Sequence, residues 1–417
     1  MFTKLFKSPQ AVVRYLSAPL LEERVRYLTH CVEQGSAPRT LKKIAYYQLA
    51  VTAYLDWRQK DGIRIEQIQS AADQWLSSHP AHCSRTDAQA SRRAFTAEAT
   101  HWLRFLNWLY VPPAIEPPFM EMVREFAADM RYERGLSSVT AYTRCKRVEE
   151  FLTRFCSDDR SLHDLSIADV DAAIAQKGTQ DGCTRISIRT YAYVIRSFLR
   201  YAEERKWCKP GLAAAILPPR AYSFEGLPAG PTWEDVERLC LATAGERRAD
   251  VRDHAVILFF AVYGFRVSEV RRLRLDDFDW QRELITISRS KQHVRKQTYP
   301  LSQTVGEAVL RYVKEVRPRC QHRELFLSLK APVQPLGSSA LWQIVRRRTE
   351  ALKIATKHHG PHSLRHASAT RLLTEGLSMK EVGDYLGHRN PAATSIYAKV
   401  NLAELRAVAD FSLEGIL

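Results

Sequence analysis

Between Arg346 and Arg371 the 417-residue chain carries seven basic side chains, Arg346, Arg347, Arg348, Lys353, Lys357, Arg365 and Arg371, against the single acid Glu350. His358, His359, His362 and His366 lie among them. A solvated helix face would interleave more acid. Gly360-Pro361 ends a loop, and His362 and Arg365, three apart in the following His-Ser-Leu-Arg-His, would share one helix face. That sets an imidazole able to accept a proton beside a guanidinium fork able to hold two phosphate oxygens. Zinc is the competing chemistry, because His362 and His366 are four apart. Ser363, however, stands where the metalloprotease motif has its general-base Glu, and positive charge crowds the site, so no metal is expected.

The whole chain agrees with an anionic partner. Its 62 Lys and Arg exceed its 46 Asp and Glu, for a formal net charge of +16, and 45% hydrophobic residues exclude a disordered or fibrous protein. A field of that sign steers toward phosphate, which makes nucleic acid the leading partner. Lys4, Lys7 and Arg14 interrupt the N-terminus, so no signal peptide is expected. The longest apolar run, about 255–265, falls short of the ~20 residues that span a bilayer. The eight cysteines are scattered without a C-x-x-C pair, which points to a reduced, cytoplasmic protein with neither a disulfide framework nor a thiolate zinc site.

Elements to position those residues can be read from punctuation and period. Proline-rich passages at 111–118 and 217–231 mark linkers. They separate an N-terminal segment, 1–113, a middle segment, 118–210, and a C-terminal segment, 229–417. The first two look alike: Tyr54-Leu55-Asp56-Trp57 and Phe151-Leu152 end one helix in each, Phe105-Leu106-Asn107-Trp108 and Phe198-Leu199-Arg200-Tyr201 lie on a second, and the offsets are 97 and 93 residues. A degenerate duplication and a coincidence of two amphipathic helical pieces both fit. In the middle segment, Ser166 to Asp169 has capping-box spacing, and Ile188, Tyr191, Ile195, Phe198 and Leu199 form one helix face. Arg185, Arg189, Arg196 and Arg200 accompany that face and suit either a DNA backbone or plain solvent.

The C-terminal segment mixes periods. Thr232 to Asp235 and Ser378 to Glu381 have capping-box spacing, Gly264 can supply a left-handed helix end, and Gly387 stops the helix that carries Val382, Tyr385 and Leu386. Residues 284–288 and 294–301 read as a strand hairpin containing Lys291, 325–327 as a third strand, and Asn390-Pro391 as the start of a further helix with Ile396 and Val400 on its buried side.

From Thr232 to about Ala409 the sequence resembles the tyrosine recombinases, or phage integrase family, and less specifically so in the middle segment. The matching pieces are Tyr263-Gly-Phe-Arg266-Val-Ser-Glu269-Val270, Lys291, His362-Ser-Leu-Arg365-His366, Leu386-Gly387-His388, and Ile396-Tyr397 nine residues beyond that histidine. The resemblance implies a mainly α, multidomain protein: helical DNA-binding modules followed by an α+β catalytic domain with a small antiparallel sheet. It implies that Tyr397 attacks a DNA phosphorus to give a 3′-phosphotyrosine and that Arg266 and Arg365 clamp the non-bridging oxygens. Lys291 would protonate the leaving 5′-oxygen, His362 would take the tyrosine proton, and His388 would hydrogen-bond the phosphate. Such chemistry needs a nucleophile, cations and an acid, and neither metal nor other cofactor. The family further implies double-stranded DNA as partner, a homotetramer that clamps the duplex, alone or with related recombinases, and a mobile-element integrase or transposase. Arg346 and Arg347 join the middle-segment arginines as DNA-binding candidates. Lys291 shares its hairpin with Arg289, Arg295 and Lys296 on a turn about one residue longer than the family's usual form. Tyr385 is a rival nucleophile whose spacing from Val382 reads as core; His366 and Glu269 fit supporting roles. A type IB topoisomerase-like enzyme and a non-catalytic DNA-binding regulator are the alternative functions, and the helical pattern of Leu402, Leu405 and Val408 suits packing in cis or in trans.

Overall fold

The structure is a computed structural model that describes residues 1–57, 62–78, 85–112, 116–156, 160–220, 230–291, 293–356, 358–388, 390, 394 and 397, the side chains of 85–87 and 290–295 apart. The fold is mainly α with one small antiparallel sheet. It divides into two compact units, one formed by Met1–Val111 with Gly226–Leu417 and the other by Pro112–Glu225, so both divisions fall in the proline-rich passages.

Helices α1 (Phe2–Leu5), α2 (Pro9–Ser17), α3 (Leu21–Glu33), α4 (Pro38–Tyr54), α5 (Ile65–Ser77) and α6 (Arg85–Phe105) enclose a core that includes Leu28, Ala45, Ile68, Phe95 and Trp102. In the second unit, α7 (Met120–Tyr132), α8 (Ser138–Phe155), α9 (Ile167–Thr179), α10 (Arg185–Glu204) and α11 (Leu212–Ala215) enclose Phe126, Val148, Phe151, Ile195 and Phe198. The four helices α3 to α6, of 13, 17, 13 and 21 residues, are matched in order by α7 to α10, of 13, 18, 13 and 20. Each set packs its first helix on its second, its second on its fourth and its third on its fourth. The capping box at Ser166 is formed, with the hydroxyl accepting from Asp169 N at 3.3 Å and the carboxylate from Ser166 N at 3.0 Å. It satisfies otherwise orphaned helix-end donors.

The C-terminal segment is built around α13 (Arg248–Val262), which follows α12 (Trp233–Thr243). Val256, Ile257, Phe259 and Phe260 bury completely, because the second half of this helix, 255–262, is apolar on all sides and the helix is sheathed by α12, α15 (Gln303–Arg311), α16 (Ser338–Ala351) and α17 (Pro361–Thr374). A short helix, α14 (Val267–Arg272), leads into a sheet of order β1 (Phe278–Asp279), β2 (Leu284–Lys291), β3 (His293–Pro300). The hairpin pairs Ile285 with Tyr299, Ile287 with Gln297 and Arg289 with Arg295. Alternate residues of a strand share a face, and Ile285 and Ile287 lie on the buried one, with Arg289 next in that register.

The expected third strand at Leu325–Leu327 is absent. Those residues are buried, but of them only Leu327 makes an isolated bridge, to Pro335, beside one from the preceding Glu324 to Arg274, and the third strand is β1. An apolar triplet buries equally well as a core-filling connection. The final helix described, α18 (Met379–Leu386), starts in the expected capping box between Ser378 and Glu381 and ends at Gly387 with φ +64°. The predicted helix from Pro391 and the pattern from Leu402 onward lie outside the described residues. Among the described residues no helix is long and apolar enough to cross a membrane.

Candidate active site

The end of α18 gathers the site. The last carbonyls of any helix lack intrahelical partners. In α18, His388 N bonds Gly383 O at 2.8 Å and Gly387 N bonds Asp384 O at 3.0 Å, the paired closure that a left-handed glycine permits. The next three carbonyls each take a guanidinium. Arg289 Nη2 donates to Tyr385 O at 3.1 Å, Arg365 Nη2 to Leu386 O at 2.8 Å, and Arg266 Nη2 to Gly387 O at 3.1 Å. Cations belong at the negative end of a helix, and here three converge from β2, α17 and the start of α14.

Their surroundings differ. Arg365 is 3% exposed and also donates to Gly264 O at 2.5 Å, on a left-handed glycine (φ +59°) where a Cβ would strike Leu386. Burial, and then the charge of Arg266, lower its pKa to about 10, so it stays cationic at neutral pH. Arg266 has a side chain 41% exposed. It is oriented by buried Glu269, whose carboxylate accepts from Arg266 N at 2.8 Å and from Nη1 at 3.0 Å. A sealed guanidinium beside an open one, with a single carboxylate among three cations, leaves a positive excess aimed at an incoming anion.

Tyr397 lies in this site, 2% exposed, against Leu373, Val382 and Leu386. Its hydroxyl is 2.9 Å from Nδ1 of His366 and donates to it when the ring proton is on Nε2. Burial pushes the phenol up to about 12, while the charges of Arg365 and Arg266 pull the other way. Burial, followed by the charges of His362 and Arg365, holds His366 down at about 4, so the ring is neutral and able to accept. His362 packs edge-on against His366 with centroids 4.3 Å apart and keeps an exposed edge. Desolvation, and then Arg365, lower its pKa too. His388 Nδ1 is 2.7 Å from Thr394 Oγ1, and burial followed by Arg365 and Arg266 lowers its pKa to about 4.

Arg266, Arg365, His388 and Tyr397 are therefore brought together, and His362 stands one ring away. The imidazole on the phenol is that of His366, which the sequence reading leaves to a supporting role; His362, expected to take that proton, reaches the tyrosine through it. The signal was the four-residue spacing that puts both rings on one face of α17. Lys291 closes β2, and its side chain lies outside the described residues. Tyr385 donates its hydroxyl to Val262 O at 3.3 Å, with burial raising its pKa, and so is core, as its spacing suggests. Arg289, which the sequence marks only as a hairpin neighbour of Lys291, joins the site as an arginine continuing the buried register of a strand. The DNA-binding candidates are spread. Arg185 and Arg200 are exposed on α10, Arg189 lies over Tyr193, and Arg196 is half-buried. On α16, Arg346 pairs with Glu350 at 2.6 Å, and Arg347 is exposed.

Residues 232–404 match the model of the phage integrase family. The chain is 34% identical over 366 residues to the integrase/recombinase y4rA of Sinorhizobium fredii, covering 87% of each. It is 28% identical over 298 residues to the tyrosine recombinase XerD of Listeria monocytogenes, covering 69% of this chain and 97% of that one. Two solved structures share the fold. Lambda integrase as a dimer bound to a core site has TM-score 0.52 at 16% identity, covering 67% of this chain and 94% of that one. The Tn1549 transposon integrase in complex with a circular intermediate DNA has TM-score 0.51 at 17% identity, covering 68% and 99%. This protein belongs to the phage integrase family of tyrosine recombinases.

Proposed function

We propose that this enzyme performs site-specific DNA recombination on double-stranded DNA through a covalent 3′-phosphotyrosine. Tyr397 Oη attacks the phosphorus and gives its proton to neutral His366, against which His362 packs edge-on. The P–O5′ bond breaks, and the Lys291 ammonium gives a proton to the departing 5′-oxygen. Arg266 and Arg365 hold the non-bridging oxygens as charge builds there, and His388 adds a hydrogen bond. One diester replaces another, so a 5′-hydroxyl from a second duplex reverses the step without an external energy source, metal or other cofactor. The observation that carries this reading is the Tyr397 hydroxyl bonded to a neutral imidazole at 2.9 Å while two site arginines act on its charge.

At the finer level, the reading assigns residues 229–417 to catalysis and 118–210 to binding the core site through Arg185, Arg189, Arg196 and Arg200, with Arg346 and Arg347 touching the backbone from the catalytic side. Residues 1–113 are read as a second core-binding-like module for flanking DNA, supported by the matched helix order of α3–α6 and α7–α10. A homotetramer, transposition or integration of a mobile element, and a cytoplasmic setting complete the proposal. Nicked suicide DNA tests the chemistry: protein becomes covalently attached in EDTA with wild type and not with Tyr397→Phe. Attachment that requires a divalent ion contradicts it. A two-site exchange assay beside a supercoil-relaxation assay then separates recombinase from topoisomerase.

A further inference from the structure

Of the three guanidinium groups on the end of α18, two are explained by the phosphate they would hold; Arg289 is not. Its side chain is 11% exposed, and its Nε and Nη1 are buried without a hydrogen-bond partner among the described residues. A buried charge is expensive unless it is used. Arg289 Nη2 shares the Tyr385 carbonyl with the Tyr299 hydroxyl, which donates at 2.6 Å and also contacts Arg289 directly. From the same hairpin, Gln297 donates to Asp384 O at 3.3 Å. The guanidinium fills the hollow over Gly387 so completely that a Cβ there would fall inside it. Its Nε lies 3.9 Å from Glu269, the carboxylate that orients Arg266. The charge of Arg289 also acts on Arg365 and His388.

We propose that Arg289 is a positioning residue for strand cleavage: it fastens the hairpin that carries Lys291, two residues further along β2, to the Gly387 turn that carries His388, so that the leaving-group acid and the phosphate clamp meet one phosphate in register. The inference rests on the reading of Lys291 as that acid. Without Arg289 the described residues of the hairpin hold the end of α18 through the uncharged Tyr299 and Gln297, and the acid loses its register while the clamp, held by Glu269 and Gly264, persists.

The test uses the full chain and nicked suicide duplexes whose scissile linkage carries either the natural 5′-oxygen or a bridging 5′-sulfur. A thiolate leaves without prior protonation, since thiols ionise near pH ~8.5. Arg289→Met should slow cleavage of the oxygen substrate on the order of 100-fold, the size of effect expected of a misplaced catalytic group. On the sulfur substrate the loss should shrink below about tenfold, the pattern expected of Lys291→Ala. Arg289→Lys, which keeps the charge but loses the fork, should fall between, and it carries the test if the Met variant melts early. Equal slowing of both substrates by a folded variant, or no slowing of the oxygen substrate, overturns the proposal. A wild type that attaches to neither substrate overturns the recombinase chemistry and this inference with it, a result distinct from failure of the variants alone.

Discussion

At the scale of single residues, cleavage turns on where the Tyr397 proton goes. His366 Nδ1 holds the Tyr397 hydroxyl, so His366→Ala should lower single-turnover cleavage by on the order of 100-fold, and added imidazole should restore part of the rate. An unchanged rate would show that the contact is not used. The pH dependence has a definite sign. His366 and His388 are held at about 4 in the fold, against an ordinary value near 6.5. Both stay neutral down to that point, and an acid limb of cleavage belongs near pH 4, not 6.5. Stability behaves in parallel: below pH 6.5 the unfolded chain takes up protons these rings refuse, so stability falls as pH drops from 6.5 toward 4 and is insensitive to them above that window. Most of this candidate site was legible in the sequence, because Arg266, Arg365, His388 and Tyr397, which the structure brings together, sit in recognisable local strings. The roles of His366 and Arg289 were not, because they are set by partners 31 and 96 residues away; the four-residue spacing of His366 from His362 marks only a shared helix face.

At the scale of elements, the turn after α18 is the part on which the site depends. Gly387→Ala meets two obstacles, a left-handed backbone and the Arg289 guanidinium. The first alone costs about 1–2 kcal/mol. Urea unfolding should show at least that loss together with impaired cleavage, and a variant as stable as wild type would contradict the described packing. Helix starts were readable at Ser166 and Ser378 because a hydroxyl and an acid three residues on each satisfy a backbone donor locally, and at Thr232 because its hydroxyl accepts from Asp235 N. The hairpin was readable because Ile285 and Ile287 alternate with polar neighbours. The sheet's third member was misplaced, since a two-residue strand carries no period and the buried triplet Leu325–Leu327 imitates one.

At the scale of the whole molecule, the repeated order of four helices gives the first 111 residues a core of their own and an architecture like that of the second unit. The sequence hinted at this through two aromatic strings at offsets of 97 and 93 residues, but the strings alone could not distinguish duplication from chance. If the first module grips flanking DNA, a chain beginning at Pro117 should bind its site more weakly. It should also show a shallower dependence of affinity on salt, because fewer phosphate counterions are released, while cleavage at saturating DNA persists. Identical salt slopes for the two chains would remove DNA from that module's role. If Tyr397 is the nucleophile of a metal-free phosphoryl transfer, digesting the covalent complex trapped on nicked DNA in EDTA will locate the modified peptide. The expected result is a single 3′-phosphodiester on Tyr397. A link to Tyr385, to any other side chain or to a 5′ end would contradict it.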